Sequence, residues 1–108
     1  MTRRVAVVDV GTNSTRLLVA DVAPDGTALA EVVRRSRVTR LGEGVDATGR
    51  LAPAAMDRVH AVLAEYAALI AQAGARPAVA VLTSAVRDAA DGAEFAAAVR
   101  DRHGLDAR

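Results

Sequence analysis

Apolar residues fall along the chain in runs whose spacing changes from strand-like to helix-like. The run Arg4 to Val10 is rich in Val and has the length of a buried strand. Thr15 to Val22 reads as a second strand, and the small polar stretch Gly11 to Ser14 fits a tight turn that makes the two a hairpin. Ala23-Pro24-Asp25-Gly26-Thr27 is another turn: Pro24 presets its φ and Gly26 accepts a positive φ. A third strand is predicted over Ala28 to Thr39. Its charged end, Arg34-Arg35-Ser36-Arg37, marks an edge strand or an exposed end.

The period then changes. Arg40 to Ala52 contains Gly42, Gly44 and Gly49 and reads as a loop. Pro53 suits a first helical turn. Met56, Val59, Leu63, Tyr66, Ile70 and Ala73 recur at i, i+3, i+4 spacing, which is one apolar face of a helix that Gly74 ends. Ala78 to Thr83 is a short fourth strand, apolar on both faces. Asp91 and Glu94 are spaced like a capping box for a second helix through Phe95, Ala98 and Val99 to His103-Gly104. Leu105 to Arg108 is too short to predict an element. The order is β-β-β-α-β-α: three antiparallel strands, then a helical crossover that returns the chain parallel to the first strand. This is an α/β chain, and its 108 residues suit one domain or part of one.

Composition narrows the class. Apolar residues are 52% and aromatics 2%, so the core is aliphatic. The formal net charge is +1, which gives no global field for nucleic acid. Every basic side chain is Arg, which suits bidentate contact with phosphate oxygens, although a compositional bias toward Ala and Arg is the leading explanation. With no Cys, disulfides and thiolate metal sites are excluded. Asp9 interrupts the N-terminal apolar run before a signal-peptide core can form, and no segment is long enough to span a membrane. A cytoplasmic protein is therefore expected.

Two segments carry candidate chemistry. Asp9 stands near the C-terminal end of the first strand, and Gly11 lets backbone bend sharply or approach a ligand closely. The N–H groups and side chains of Thr12, Asn13 and Ser14 can form an anion-binding nest, and Asp9 can hold Mg²⁺ that bridges to phosphate. A plain polar hairpin turn is the competing reading. Thr83-Ser84-Ala85-Val86-Arg87 leaves the fourth strand. If that strand lies parallel to the first, Ser84 and Arg87 face the same crevice as Asp9 and Asn13. Otherwise Arg87 is an exposed side chain paired with Asp88 or Asp91. Arg34, Arg35, Arg37 and Arg40 form either a basic track for a polyanion or a solvated edge. His60 lies off the apolar helix face, where solvent is expected. His103 sits in a last helical turn, where a cation suits the dipole.

Taken together, Asp9-Val10-Gly11-Thr12-Asn13-Ser14-Thr15-Arg16-Leu17-Leu18-Val19, Arg40-Leu41-Gly42-Glu43-Gly44-Val45-Asp46, Gly49-Arg50-Leu51 and Thr83-Ser84-Ala85-Val86-Arg87-Asp88-Ala89 resemble the exopolyphosphatase / guanosine pentaphosphate phosphohydrolase family. Phe95 also falls where the family has a helical Phe. Asp91 stands where members often carry Asn. The resemblance implies an RNase H-like half-domain of the actin, Hsp70 and sugar kinase superfamily, with sheet order 3-2-1-4-5. It implies that strand five begins near Leu105 and is cut short. It also implies one half of a two-lobed phosphatase, whose general base and second phosphate loop lie beyond Arg108.

On that resemblance the phosphate-binding residues are Gly11, Thr12, Asn13, Ser14, Ser84 and Arg87, the metal residue is Asp9, and no catalytic base is identified. The cofactor is Mg²⁺ or another divalent cation. The implied substrate is inorganic polyphosphate, releasing terminal orthophosphate, or alternatively pppGpp. A noncatalytic phosphate- or nucleotide-binding fragment is a third possibility, since the chain alone is expected to be inactive or nearly so. With strand five missing, strand four would be a bare edge, from which marginal stability or a homodimer is expected.

Overall fold

The computed structural model describes residues 2–108. Strands β1 (Arg3–Val10), β2 (Ser14–Val22) and β3 (Leu29–Val38) form the antiparallel meander. Helices α1 (Val45–Thr48) and α2 (Pro53–Ala73) then lead to β4 (Ala78–Leu82). Helices α3 (Ser84–Asp88) and α4 (Gly92–His103) follow, and the chain closes with β5 (Asp106–Ala107). β4 pairs with β1 in parallel, as the crossover requires, and the sheet order is β3-β2-β1-β4-β5. This mixed α/β arrangement is the RNase H-like order implied by the resemblance.

At the chain's end the structure has the fifth strand that the resemblance implies near Leu105, where spacing alone predicted no element. The stretch judged too short for an element is a strand: β5 lies parallel to β4, with Asp106 opposite Val79 and Ala107 opposite Ala80. Backbone bonds of 2.8 Å from Leu82 N to Arg108 O and from Arg108 N to Ala80 O hold it. Leu105 and Ala107 are buried. The edge of β4 is thus paired along that stretch, which removes the stated reason for dimerisation there.

The strands expected to be buried on both faces are covered on one. Ala6, Val8 and Val10 of β1, Leu17 and Val19 of β2, and Ala80 and Leu82 of β4 point into the core. Their alternates do not: Val7 is 40% exposed and Val81 is 46% exposed. The cause is that α2 and α4 contribute their buried side chains to a single core cluster with the inward strand residues. Alternation along a strand then leaves the odd-numbered positions of β1 on the open side.

The long helix follows the sequence pattern closely. Pro53 occupies its first turn, Gly74 ends it at φ 67°, and Val59, Leu63, Tyr66 and Ile70 are buried, while Met56 and Ala73 are half-buried. The single tyrosine places its ring in the core and donates its hydroxyl to Thr15 O at 2.8 Å. Nearby, the buried Thr15 and Thr39 hydroxyls share a 2.8 Å bond. Arg4 grips both carboxylate oxygens of Asp21, at 2.9 and 3.1 Å, and also donates to Ala73 O. The hairpin and the end of α2 are thereby tied together.

Elsewhere local patterns mislead. Within the predicted loop 40–52, Val45–Thr48 makes one helical turn. Asp91 is the N-cap residue of α4, but its side chain makes no capping bond. Its carboxylate instead accepts Leu51 N–H at 2.9 Å, fixing the preceding loop against α4.

The histidines also depart from expectation. His60 is half-buried rather than solvated, and its Nδ1 lies 2.9 Å from His103 Nε2, joining α2 to the last residue of α4. Its ring also packs on Phe95, with centroids 5.2 Å apart. One neutral ring must donate and the other accept. Burial, and next the nearby Arg102, holds both histidines below their usual value of 6.5, which disfavours the helix-end cation expected of His103. As pH falls, the unfolded chain takes up these protons before the folded one. Stability is therefore expected to be level above 6.5 and to decline as pH drops through the window beneath it. Asp21, held below its usual 3.8 by the hydrogen bond from Arg4, contributes a later loss under that value. Urea midpoints measured from about pH 7.5 to about pH 5 check this; a constant midpoint would show that the pair does not titrate with folding.

Candidate phosphate site

The hairpin turn is built so that its carbonyls face inward. Gly11 N donates to Ser14 O at 2.9 Å and closes the turn. Thr12 O accepts from Gly42 N at 3.0 Å, and Asn13 O accepts from both Thr39 N and Arg40 N at 2.9 Å. Thr15 O is taken by Tyr66. By contrast, the N–H groups of Thr12 and Asn13 meet no acceptor among the described residues. Carbonyls tied back and N–H groups left outward give the turn the polarity of an anion nest.

Two residues of the 39–43 segment make this approach feasible. Arg40 holds φ at 53°, a left-handed conformation that costs a non-glycine residue about 1 kcal/mol. Gly42 sits so close that an added Cβ would lie 2.4 Å from Thr12 Cγ2. Any side chain there would have to displace the Thr12 methyl group.

A hollow of about 250 Å³ lies on the turn, lined by Asp9, Gly11, Thr12, Asn13, Ser14 and Arg16. Arg16 is the residue that the sequence reading left out of the site. It is the register partner of Asp9, so both side chains stand on the open face. Strict alternation after the buried Thr15 was the signal that places it there. Asp9 and Arg16 also border a wider hollow of about 520 Å³, with Val7, Leu18, Arg34 and Ser36 among its walls. That one is mostly apolar, so the polar donors single out the smaller hollow.

The second segment approaches through Thr83. Its N–H donates to Val10 O at 2.9 Å, and its hydroxyl lies 3.0 Å from the Thr12 hydroxyl. Thr83 is the N-cap residue of α3, yet its side chain makes no capping bond because Thr12 holds it. Ser84 and Arg87 belong to α3 and are exposed. Neither lines the hollow of the turn. The alternative pairing of Arg87 with Asp88 or Asp91 is also not made: among the described residues Arg87 forms no ion pair, and Asp91 is engaged with Leu51. On the edge strand, Arg34 pairs with Glu31 and Arg37 with Glu65, as in a solvated edge.

The oxygen donors lining the hollow with Asp9 are the hydroxyls of Thr12 and Ser14 and the Asn13 amide oxygen, and the Arg16 guanidinium borders the same hollow. No group of three or more His, Cys, Asp or Glu gathers among the described residues. Mg²⁺ keeps several waters and takes one or two carboxylates plus phosphate oxygens, so a single Asp beside an anion nest fits it. No helix among the described residues is long and apolar enough to cross a membrane.

A mixed five-stranded sheet of this order with helices defines the class as an actin-like α/β fold. Comparison with known proteins supports that class. The chain matches the Ppx/GppA phosphatase family over residues 18–108, and it belongs to that family. Exopolyphosphatase 2 of Mycobacterium tuberculosis is 47% identical over 103 residues, covering 91% of this chain and 31% of that protein. Exopolyphosphatase 1 of Mycobacterium bovis is 31% identical, over 95% of this chain and 30% of its own length. The crystal structure of the Aquifex aeolicus family member superposes with a TM-score of 0.91 at 36% identity, covering 100% of this chain and 35% of that one. The chain thus spans about a third of the length of these relatives.

Proposed function

We propose that this chain is the phosphate-cradling half of a two-lobed phosphohydrolase that releases terminal orthophosphate from inorganic polyphosphate. The observation that carries the reading is the polarity of the Gly11–Asn13 turn, with the Thr12 and Asn13 carbonyls bonded and the N–H groups of the same two residues meeting no acceptor among the described residues. Gly11, Thr12, Asn13 and Ser14 would bind the terminal phosphate, Ser84 and Arg87 would reach it from α3, and Arg16 adds a cation at the rim. A divalent cation held at Asp9 would supply charge neutralisation on phosphate oxygens. The relatives named exopolyphosphatase favour polyphosphate over a guanosine pentaphosphate substrate.

Hydrolysis also needs a base for the attacking water. Asp9 is the one carboxylate lining the hollow of the turn, and the reading gives it to the metal. Binding without turnover is therefore expected of the chain alone. Calorimetry with tripolyphosphate and Mg²⁺ tests this. Asp9→Asn and Arg87→Ala should each weaken binding by about tenfold, as loss of a charge-assisted contact does. An absence of binding, or orthophosphate release that Asp9→Ala abolishes, would overturn the proposal.

A further inference from the structure

Arg58 lies outside the hollow, on α2, and no motif singles it out. Its Nε donates to Thr39 O at 2.8 Å, and its Nη2 donates to Arg40 O at 3.4 Å and to Glu43 Oε2 at 2.6 Å. One planar guanidinium thus holds two successive carbonyls and a carboxylate of the 39–43 segment. Those carbonyls belong to the residues whose N–H groups both donate to Asn13 O, and Gly42 N in the same segment donates to Thr12 O.

We propose that Arg58 is a positioning residue for the phosphate turn, acting through Thr39, Arg40 and Gly42 to keep the Thr12 and Asn13 N–H groups pointed outward. The inference rests on the phosphate reading of the turn for its ligand, but its structural claim stands apart from it. Arg40 is in a strained left-handed conformation. An isolated loop would relax it, and such strain persists only where the surroundings over-determine it. Arg58 supplies that surrounding by donating to the Thr39 and Arg40 carbonyls. Its fork does so as a rigid unit, which a point charge cannot reproduce. A donor that drifts by about 1 Å at a binding site can lose much of its effect, so a remote clamp can matter to ligand affinity.

The test reads two quantities on the whole chain. Amide resonances are recorded without ligand, and tripolyphosphate binding is measured with Mg²⁺. Arg58→Ala should shift the Thr12 and Asn13 amides while leaving those of β4 and α4 in place, and should weaken binding about tenfold. Arg58→Lys, which can reach one carbonyl, should restore part of both. Glu65→Gln removes another ion pair between α2 and the sheet, that with Arg37, and should move neither. If Arg58→Ala does not fold, Arg58→Lys alone carries the comparison, with smaller shifts at the same two amides.

Unmoved Thr12 and Asn13 amides, or binding within about twofold of the parent, would overturn the role of Arg58. A parent chain that binds no tripolyphosphate would count against the phosphate reading instead, and the ligand-free amide shifts would still decide the clamp.

Discussion

Gly92→Ala is expected to destabilise the fold by about 3 kcal/mol or more, well above the usual cost of a surface substitution. Gly92 is the buried first residue of α4. A Cβ there would lie 1.7 Å from the Val86 carbonyl oxygen and 2.8 Å from its carbon. Both atoms are backbone, so no rotamer change relieves the clash. Either α3 or α4 must move, and α3 carries Arg87 while Asp91, one residue before Gly92, anchors Leu51. The substitution would otherwise favour helix, since Ala has the higher propensity. Chemical denaturation checks the sign: a midpoint equal to or above that of the parent would show that the two helices are not packed this closely.

Truncating Tyr66 should have a comparable effect for a different reason. Its side chain is fully buried at the centre of the α2 face, in a core otherwise almost wholly aliphatic. Tyr66→Ala removes a ring that nothing else in that core can replace and should cost about 3–5 kcal/mol. Tyr66→Phe keeps the ring and deletes only the 2.8 Å bond to Thr15 O, for about 1–2 kcal/mol. The pair of variants separates packing from hydrogen bonding. Similar losses for both would mean that the hydroxyl dominates and that the ring is poorly packed.

The fold was legible where the signal was local and repeated. Val59, Leu63, Tyr66 and Ile70 mark one helix face by spacing alone, and all four are buried. Pro53 and Gly74 mark its ends, and the strand-turn-strand pattern around Gly11 marks the hairpin. What escaped was short or depended on distant partners. β5 has two residues, too few to show a period, and exists because Ala80 and Leu82 exchange bonds with Arg108. Asp91 looks like a cap from its neighbours, but its acceptor role is set by Leu51, forty residues earlier. His60 looks solvated on a helical wheel, yet α4 lands on it. Exposure of Val7 and Val81 could not be read either, since an apolar strand does not say how many of its faces are covered.

For the candidate site, residue types and spacing were enough to select the turn. Asp9, Gly11, Thr12, Asn13 and Ser14 do line one hollow. The sequence offers no trace of the Thr39, Arg40 and Gly42 N–H donors that hold the turn's carbonyls, because they are backbone brought up from another part of the chain. Ser84 and Arg87 are not part of the hollow's wall.

The bond between the Thr12 and Thr83 hydroxyls has one more consequence. Either oxygen can be the donor, so the bond has two directions. An anion that accepts from Thr12 takes that hydroxyl's only hydrogen, and Thr83 must then donate to Thr12. Occupancy at the end of β1 is thereby written into the orientation of a single hydrogen at the end of β4, without displacement of any heavier atom.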